Sequence, residues 1–204
     1  MTIEKGARYG QPGRLPGDGV VVGSDREARH VLEQARHDRR PFPPLGLVGG
    51  DLCRTLGGGS DGSEQRLRSD DAMTFAVDLG EVLLDGRLHL FVAHCLARNR
   101  LWTRAVVAMN GQWIGRWNAG PRAHPGDGLL DTYDARLPFG QLLAVRSRIF
   151  HGAHLPHPAI RERRGPAVQF ELDRALPVWL DGERLPAART ISVRVEPDAL
   201  TVIV

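Results

Sequence analysis

Apolar and polar positions alternate along this chain in two different rhythms. Residues 1–18 are polar and rich in Gly and Pro, which predicts a poorly ordered lead-in. Val20, Val21 and Val22 then read as a short buried strand. Ser24 and Glu27 stand in the S-x-x-E spacing of a capping box, and Ala28, Val31, Leu32 and Ala35 recur on one helical face. Pro41, Pro43 and Pro44 stop that helix. "PLGLVGGDLCRTLGG" follows as a second short strand, a glycine turn and a short helix. Strand, helix and strand joined by tight glycine turns predict a fragment of a parallel α/β sheet. Gly57 to Ser63 reads as a flexible linker.

From residue 72 the period shortens. "MTFAVDLGEVLLDGRLHLFVAH" predicts strands around an Asp85-Gly86 hairpin, and "RAVVAMNGQWIGRW" repeats the device at Asn110-Gly111. One amphipathic helix interrupts the strands in "FGQLLAVRSRIF", with Leu142, Val145, Ile149 and Phe150 as its apolar stripe. "AVQFEL", "LPVWL", "TISVRVE" and "ALTVIV" then predict four more short strands. Many short strands separated by turn signals belong to a sandwich or barrel. The expected fold class is α+β: residues 1–18 a lead-in, 19–63 a small α/β region, and 64–204 an antiparallel β-sandwich with one packed helix.

Composition changes this picture little. The 204 residues carry 42% hydrophobic and 25% charged side chains, as globular domains do. The net charge is +3, and Lys5 is the lone lysine among 27 basic residues. The arginines spread through the whole chain, so no basic face points to nucleic acid. Cys53 and Cys95 have no metal-type spacing. The first residues lack the apolar core of a signal peptide, and no apolar run approaches the ~20 residues of a membrane helix. A cytoplasmic, reduced protein is the expectation.

The chemistry-bearing candidates are acidic. Asp181-Gly182-Glu183 lies between two strands, where an Asp-Gly turn accounts for the first two residues without any chemistry. Its company makes it a candidate site. "DGRLHLFVAH", "NGQWIG", "PGDGLLDTYDARL", "GAHLPHPAI" and "ALPVWLDGERLPAARTISVRVEPDALTVIV" occur in an order that resembles the C-terminal domain of diacylglycerol kinase and sphingosine kinase-like lipid kinases. The resemblance covers most of residues 70–204. It implies a two-domain enzyme that moves the γ-phosphoryl group of ATP, with Mg²⁺, onto a lipid hydroxyl.

Residue by residue, the resemblance makes Asp181 and Glu183 the cleft carboxylates, one of them a general base for the lipid hydroxyl. Asp127, in "DGLLD", becomes a ligand of a structural magnesium ion, unless it only turns its loop. The family's first phosphate loop has the form G-G-D-G-T. Here "VVVGSDRE" keeps Gly23 and Asp25 but places Ser24, Arg26 and Glu27 at the other positions. The second loop, P-x-G-T-x-N-D-x-A-R in the family, keeps Pro44-Leu45-Gly46, Asp51, Arg54 and Thr55-Leu56-Gly57 but is shortened and loses its G-T-x-N core, leaving Gly49, Gly50 and Asp51 as the nucleotide-binding candidates there. Phosphate loops need glycine so that N–H groups can reach the anion, and Glu27 puts negative charge beside it. The first strands of the family's nucleotide domain, and a segment between "HLFVAH" and "NGQWIG", look trimmed. Two functions therefore stay open. One is an ATP-dependent lipid kinase of impaired activity. The other is a non-catalytic relative that binds a lipid or a protein partner through its β domain, with transient membrane contact and homodimer formation both open. His151, His154 and His157 suggest zinc by spacing, but the prolines among them break any helix that would align them. Trp102, Trp113, Trp117 and Trp179 read as core or interface anchors, or as the lining of a lipid groove.

Overall fold

The computed structural model describes residues 9–59 and 64–204. Strand β1 (Gln11–Pro12) leads to β2 (Val20–Val22), helix α1 (Asp25–His37), β3 (Leu45–Leu47) and the short helices α2 (Asp51–Thr55) and α3 (Glu64–Leu67). The β-rich part runs β4 (Met73–Leu84), β5 (Arg87–Phe91), β6 (His94–Arg98), β7 (Arg104–Met109), β8 (Trp113–Ile114), β9 (Trp117–Asn118) and β10 (Leu130–Arg136). Helix α4 (Leu142–Ile149), β11 (Ile160–Gly165), β12 (Ala167–Leu180) and β13 (Glu183–Ile203) complete it. The class is α+β, mostly antiparallel sheet with few helices, as the pattern predicts.

The α/β fragment forms for the expected reasons. Ser24 Oγ accepts from Glu27 N–H, and Glu27 Oε2 reaches back to Gly23 N–H, one residue before the cap, so the expected capping box forms with its return bond shifted by one residue. Ala28, Leu32 and Ala35 of α1 are buried. Strands β2 and β3 pair in parallel, and β3 continues in parallel onto the end of β13 at Val202 and Ile203. The fragment is thereby hydrogen-bonded into the main sheet.

The last four predicted strands are not separate. They fuse into β12 and the 21-residue β13, because irregular pairing absorbs the breaks instead of ending the strands. Between Glu171 and Leu176 the extra residues of β12 face only Arg189. In β13 the pairing with β4 shifts between Glu196 and Leu200, where Asp198 has φ 52°. Asp78 pins that shift by accepting from Asp198 N–H at 2.9 Å and Gly128 N–H at 2.7 Å.

Other expectations change as well. Asp85 (φ 47°) and Gly86 (φ 87°) make the predicted hairpin turn, but Asn110-Gly111 makes none. Strand β7 pairs with β6 and β10, and the hairpin lies further on, between β8 and β9. Asn110 is instead fully buried and donates its amide to the carbonyls of Asp78 and Val92, both at 2.8 Å. Residues 9–18, read as a loose lead-in, are packed: β1 pairs with β4 and Leu15 is buried. Residues 1–8 of that lead-in, and residues 60–63 of the expected linker, lie outside the described residues.

Two cores meet along β4. Phe75, Val77 and Leu79 pack with α1, β2 and β3, while Val82 and Leu84 pack inside the antiparallel layers. Gly80 is the crossing point, and a Cβ there would stand 2.2 Å from the Phe91 ring. Gly80→Ala is expected to destabilise the protein by about 1–3 kcal/mol through overpacking. Phe91→Leu in the same chain should recover part of the loss, a pattern that urea titration of the three variants checks.

Candidate functional site

The Asp181-Gly182 corner closes the β12–β13 hairpin with φ 51° and 81°, the left-handed pair a two-residue turn requires. Asp181 does more than turn. Its Oδ2 accepts from Val92 N–H at 2.9 Å, and its Oδ1 accepts from Ala93 at 2.9 Å and His94 at 3.1 Å. Three buried N–H groups between β5 and β6 therefore have one carboxylate as their acceptor. Burial, with the charge of Asp25 adding to it, pushes this carboxyl up to about 8, against the pull of those donors.

Glu183, two residues on, faces α1. Its carboxylate pairs with Arg29 and lies 2.8 Å from His30 Nε2. Arg29 is itself 2% exposed and also reaches Glu33 at 3.2 Å. Burial acts to raise the Glu183 carboxyl, but the His30 hydrogen bond and the Arg29 charge outweigh it and hold it below the usual carboxylate range. A clamped carboxylate of depressed pKa is a weak proton acceptor.

Asp25 and Asp51 meet at the start of α2. Asp25 accepts from Asp51 N–H at 2.5 Å and from Leu52 N–H at 3.1 Å, so it occupies the N-terminus of α2. Burial pushes Asp25 up to about 6. Gly49 and Gly50 make this approach possible: a Cβ on Gly49 would meet Gly23 O at 2.6 Å, and one on Gly50 would meet Asp25 Oδ1 at 2.6 Å. The glycines expected to admit a phosphate thus admit a neighbouring loop of the same chain. Asp51 turns outward and accepts from Gly115 N–H with both oxygens at 2.9 Å. Arg54 donates to Gly115 O at 3.0 Å and stacks over the Trp113 ring at 3.4 Å, docking the β8–β9 hairpin on α2. His94 lies fully buried beside them, its Nδ1 3.8 Å from Asp51 and without a hydrogen-bond partner, and burial lowers it to about 4.

The implied ATP and Mg²⁺ do not fit these groups. Gly23 N–H, just before the α1 cap Ser24, goes to Glu27, and the first N–H groups of α2 go to Asp25. A phosphate would meet a carboxylate at each helix start. Asp127 accepts from Leu129 N–H at 3.0 Å and pairs with Arg164, a cation where a metal was expected. Among the described residues no group of three acidic, His or Cys side chains could hold a metal ion, the His151, His154 and His157 set included.

The sequence model of the YegS C-terminal NAD kinase beta sandwich-like domain matches residues 73–204, about two thirds of the chain. The chain belongs to this family. Among solved structures, a "putative diacylglycerol kinase" from Bacillus anthracis str. Sterne superposes with a TM-score of 0.66 at 17% identity, over 91% of this chain and 77% of that one. A structure described as a diacylglycerol kinase from the same organism gives 0.61 at 16% identity, over 91% and 75%. At such identities the likeness is one of fold. No curated protein sequence matches the chain. The resemblance to diacylglycerol kinase-like proteins is borne out at the level of family and fold.

In this family member, sequence reasoning missed Arg29, His30, His94 and Asn110. Arg29 and His30 follow directly on the apolar stripe of α1, and only their docking against Glu183 gives them a role. His94 carries no local signal beyond being a polar residue at the end of an apolar strand, and the Asn-Gly signal of Asn110 points to a turn instead of a buried amide.

Asp181→Ala would leave three buried N–H groups without an acceptor. The expected loss is about 3 kcal/mol or more, a fall of roughly 6–12 °C in thermal midpoint. Glu183→Gln should lose only about 1 kcal/mol, because its carboxylate is half-buried at the rim. Differential scanning calorimetry of both variants checks the contrast.

Asp181 also sets a pH dependence. Its folded pKa of about 8 lies above its unfolded value, so the folded state binds the proton more tightly and stability falls as pH rises through that window. Below about pH 6.5 the lowered His94 acts in the opposite direction to Asp25. Between pH 6.5 and 8 Asp181 acts without that opposition. The thermal midpoint is expected to decline across this interval, and the decline should vanish in Asp181→Asn.

Proposed function

We propose that this protein is a non-catalytic member of the lipid-kinase group, one that binds a lipid without transferring phosphoryl from ATP. The observation that carries this reading is the closing of both candidate phosphate loops by the chain's own carboxylates, Glu27 on the α1 cap and Asp25 on the start of α2. Phosphoryl transfer rests on positioned N–H groups and cations that face the nucleotide. Here the donors face inward, and Glu183 is engaged by Arg29 and His30. The lipid class comes from the diacylglycerol kinases whose fold this chain shares. A cytoplasmic location belongs to the same proposal, and no helix among the described residues is long and apolar enough to cross a membrane.

A second reading, ATP-dependent phosphorylation of a lipid hydroxyl, draws on the retained corner. Glu183 stays partly open to solvent beside an exposed His30, so the Asp-Gly-Glu corner has an approach from outside. In that case Glu183 would serve as the base, and Mg·ATP would have to displace Asp25 from α2.

The thermal midpoint with and without Mg·ATP separates the two readings, because a ligand of the native state must raise it. No shift at millimolar ATP is the expected result. A rise abolished by Asp25→Ala or Asp51→Ala, together with transfer of labelled phosphate from ATP to diacylglycerol in mixed micelles, would overturn the non-catalytic reading.

A further inference from the structure

The loop between β6 and β7, strand β9 and helix α4 enclose an apolar groove of about 410 Å³. Trp102 and Trp117 line it, edge to face at 5.1 Å. Its rim is apolar and open to solvent: Leu143 is 81% exposed, Phe139 67% and Leu101 55%. Large side chains clustered in this way on a rim are unusual for a free surface. Helix α4 explains the geometry. Val145 faces inward and is buried, which turns Leu143 and Arg146 outward.

The charge around the groove is of one sign. Residues 86–126 and 135–161, which supply every wall of the groove, contain no Asp or Glu. Arg146 lines the groove, Arg148 sits one residue before Ile149, and Arg100 adjoins Leu101. Arg98 stacks on Trp102 at 4.2 Å and on Trp179 at 4.4 Å, and Arg116 lies over Phe150 at 5.8 Å. None of these five arginines forms an ion pair with a described residue, whereas Arg104, Arg122 and Arg136, in neighbouring positions, are paired with Asp134, Glu162 and Asp173.

We infer that this face docks on the surface of an anionic lipid bilayer, with Leu101, Phe139 and Leu143 entering the acyl boundary and the surrounding arginines meeting the head groups. Shallow apolar insertion ringed by cations is the chemistry of interfacial membrane binding, and tryptophans suit that boundary. A second copy of this chain is the poorer occupant, since a self-contact here would oppose arginine to arginine with no carboxylate between them. The inference deepens the lipid-binding half of the proposed function and is independent of the nucleotide question.

The test is co-sedimentation of the full chain with vesicles of phosphatidylcholine alone and of phosphatidylcholine with phosphatidylglycerol. Binding is expected only to the anionic vesicles and should weaken with added salt. Leu143→Asp should reduce it at least tenfold, roughly, and Arg146→Ala about fivefold. Both positions are exposed, so an unchanged thermal midpoint confirms that the variants fold. Equal binding to both vesicles, no binding to either, or binding indifferent to Leu143→Asp would overturn the inference. So would a dimer in analytical ultracentrifugation that Leu143→Asp dissociates, which would assign the face to a second copy. A rise in thermal midpoint with soluble dihexanoylglycerol, in a protein that ignores vesicles, would overturn membrane docking and leave the lipid-binding reading standing.

Discussion

The carboxylate of Asp181 is the constraint around which this protein closes. The β5–β6 connection runs through the interior, and a buried N–H without an acceptor is strongly unfavourable. Asp181 supplies that acceptor from the tip of the β12–β13 hairpin, to Val92, Ala93 and His94 together. The bond joins distant parts of the sequence and fixes where β6 begins. It thereby places His94 beside Asp51 and sets Glu183 against Arg29 and His30. A residue that looks like half of a catalytic pair is in this fold an internal clasp.

The same logic runs through the rest of the acidic set. Asp78 holds the irregular segment of β13 and the loop at Gly128, Asp25 holds the start of α2, and Asp51 holds the β8–β9 hairpin. Each carboxylate answers backbone N–H groups that a loop would otherwise leave exposed or that a ligand would otherwise take. An anion site at a helix start works because its donors are free. When a carboxylate of the chain occupies it, the helix is stabilised and the site is lost. Stability and nucleotide binding compete here for the same hydrogen bonds.

The surface beside α4 is built differently. The groove beside α4 has aromatic walls, exposed aliphatic rims and arginines that form no ion pair with a described residue. The carboxylates near α2 are engaged by the chain's own N–H groups, and the apolar rim beside α4 is open to solvent.

The sequence by itself determined the local devices. The Ser24 cap of α1, the Asp85-Gly86 turn and helix α4 follow from short-range rules and are present where the pattern places them, although of the α4 stripe only Val145 is buried and Phe150 lies past the helix end. The ordered motifs of the last two thirds also carried the family, because they sample the whole β-rich layer. Tertiary structure decided everything that depends on a partner far away in the chain. Asn110-Gly111 has the composition of a turn, yet Asn110 is drawn inward by the carbonyls of Asp78 and Val92. The strands predicted as four short ones fuse, because β4 and β12 pair across their irregularities. Asp25, Asp127, Asp181 and Glu183 were legible as acidic residues in suggestive places, but their occupants were not. A carboxylate's role is set by which donor reaches it first, and that is a property of three-dimensional packing, which local sequence does not contain.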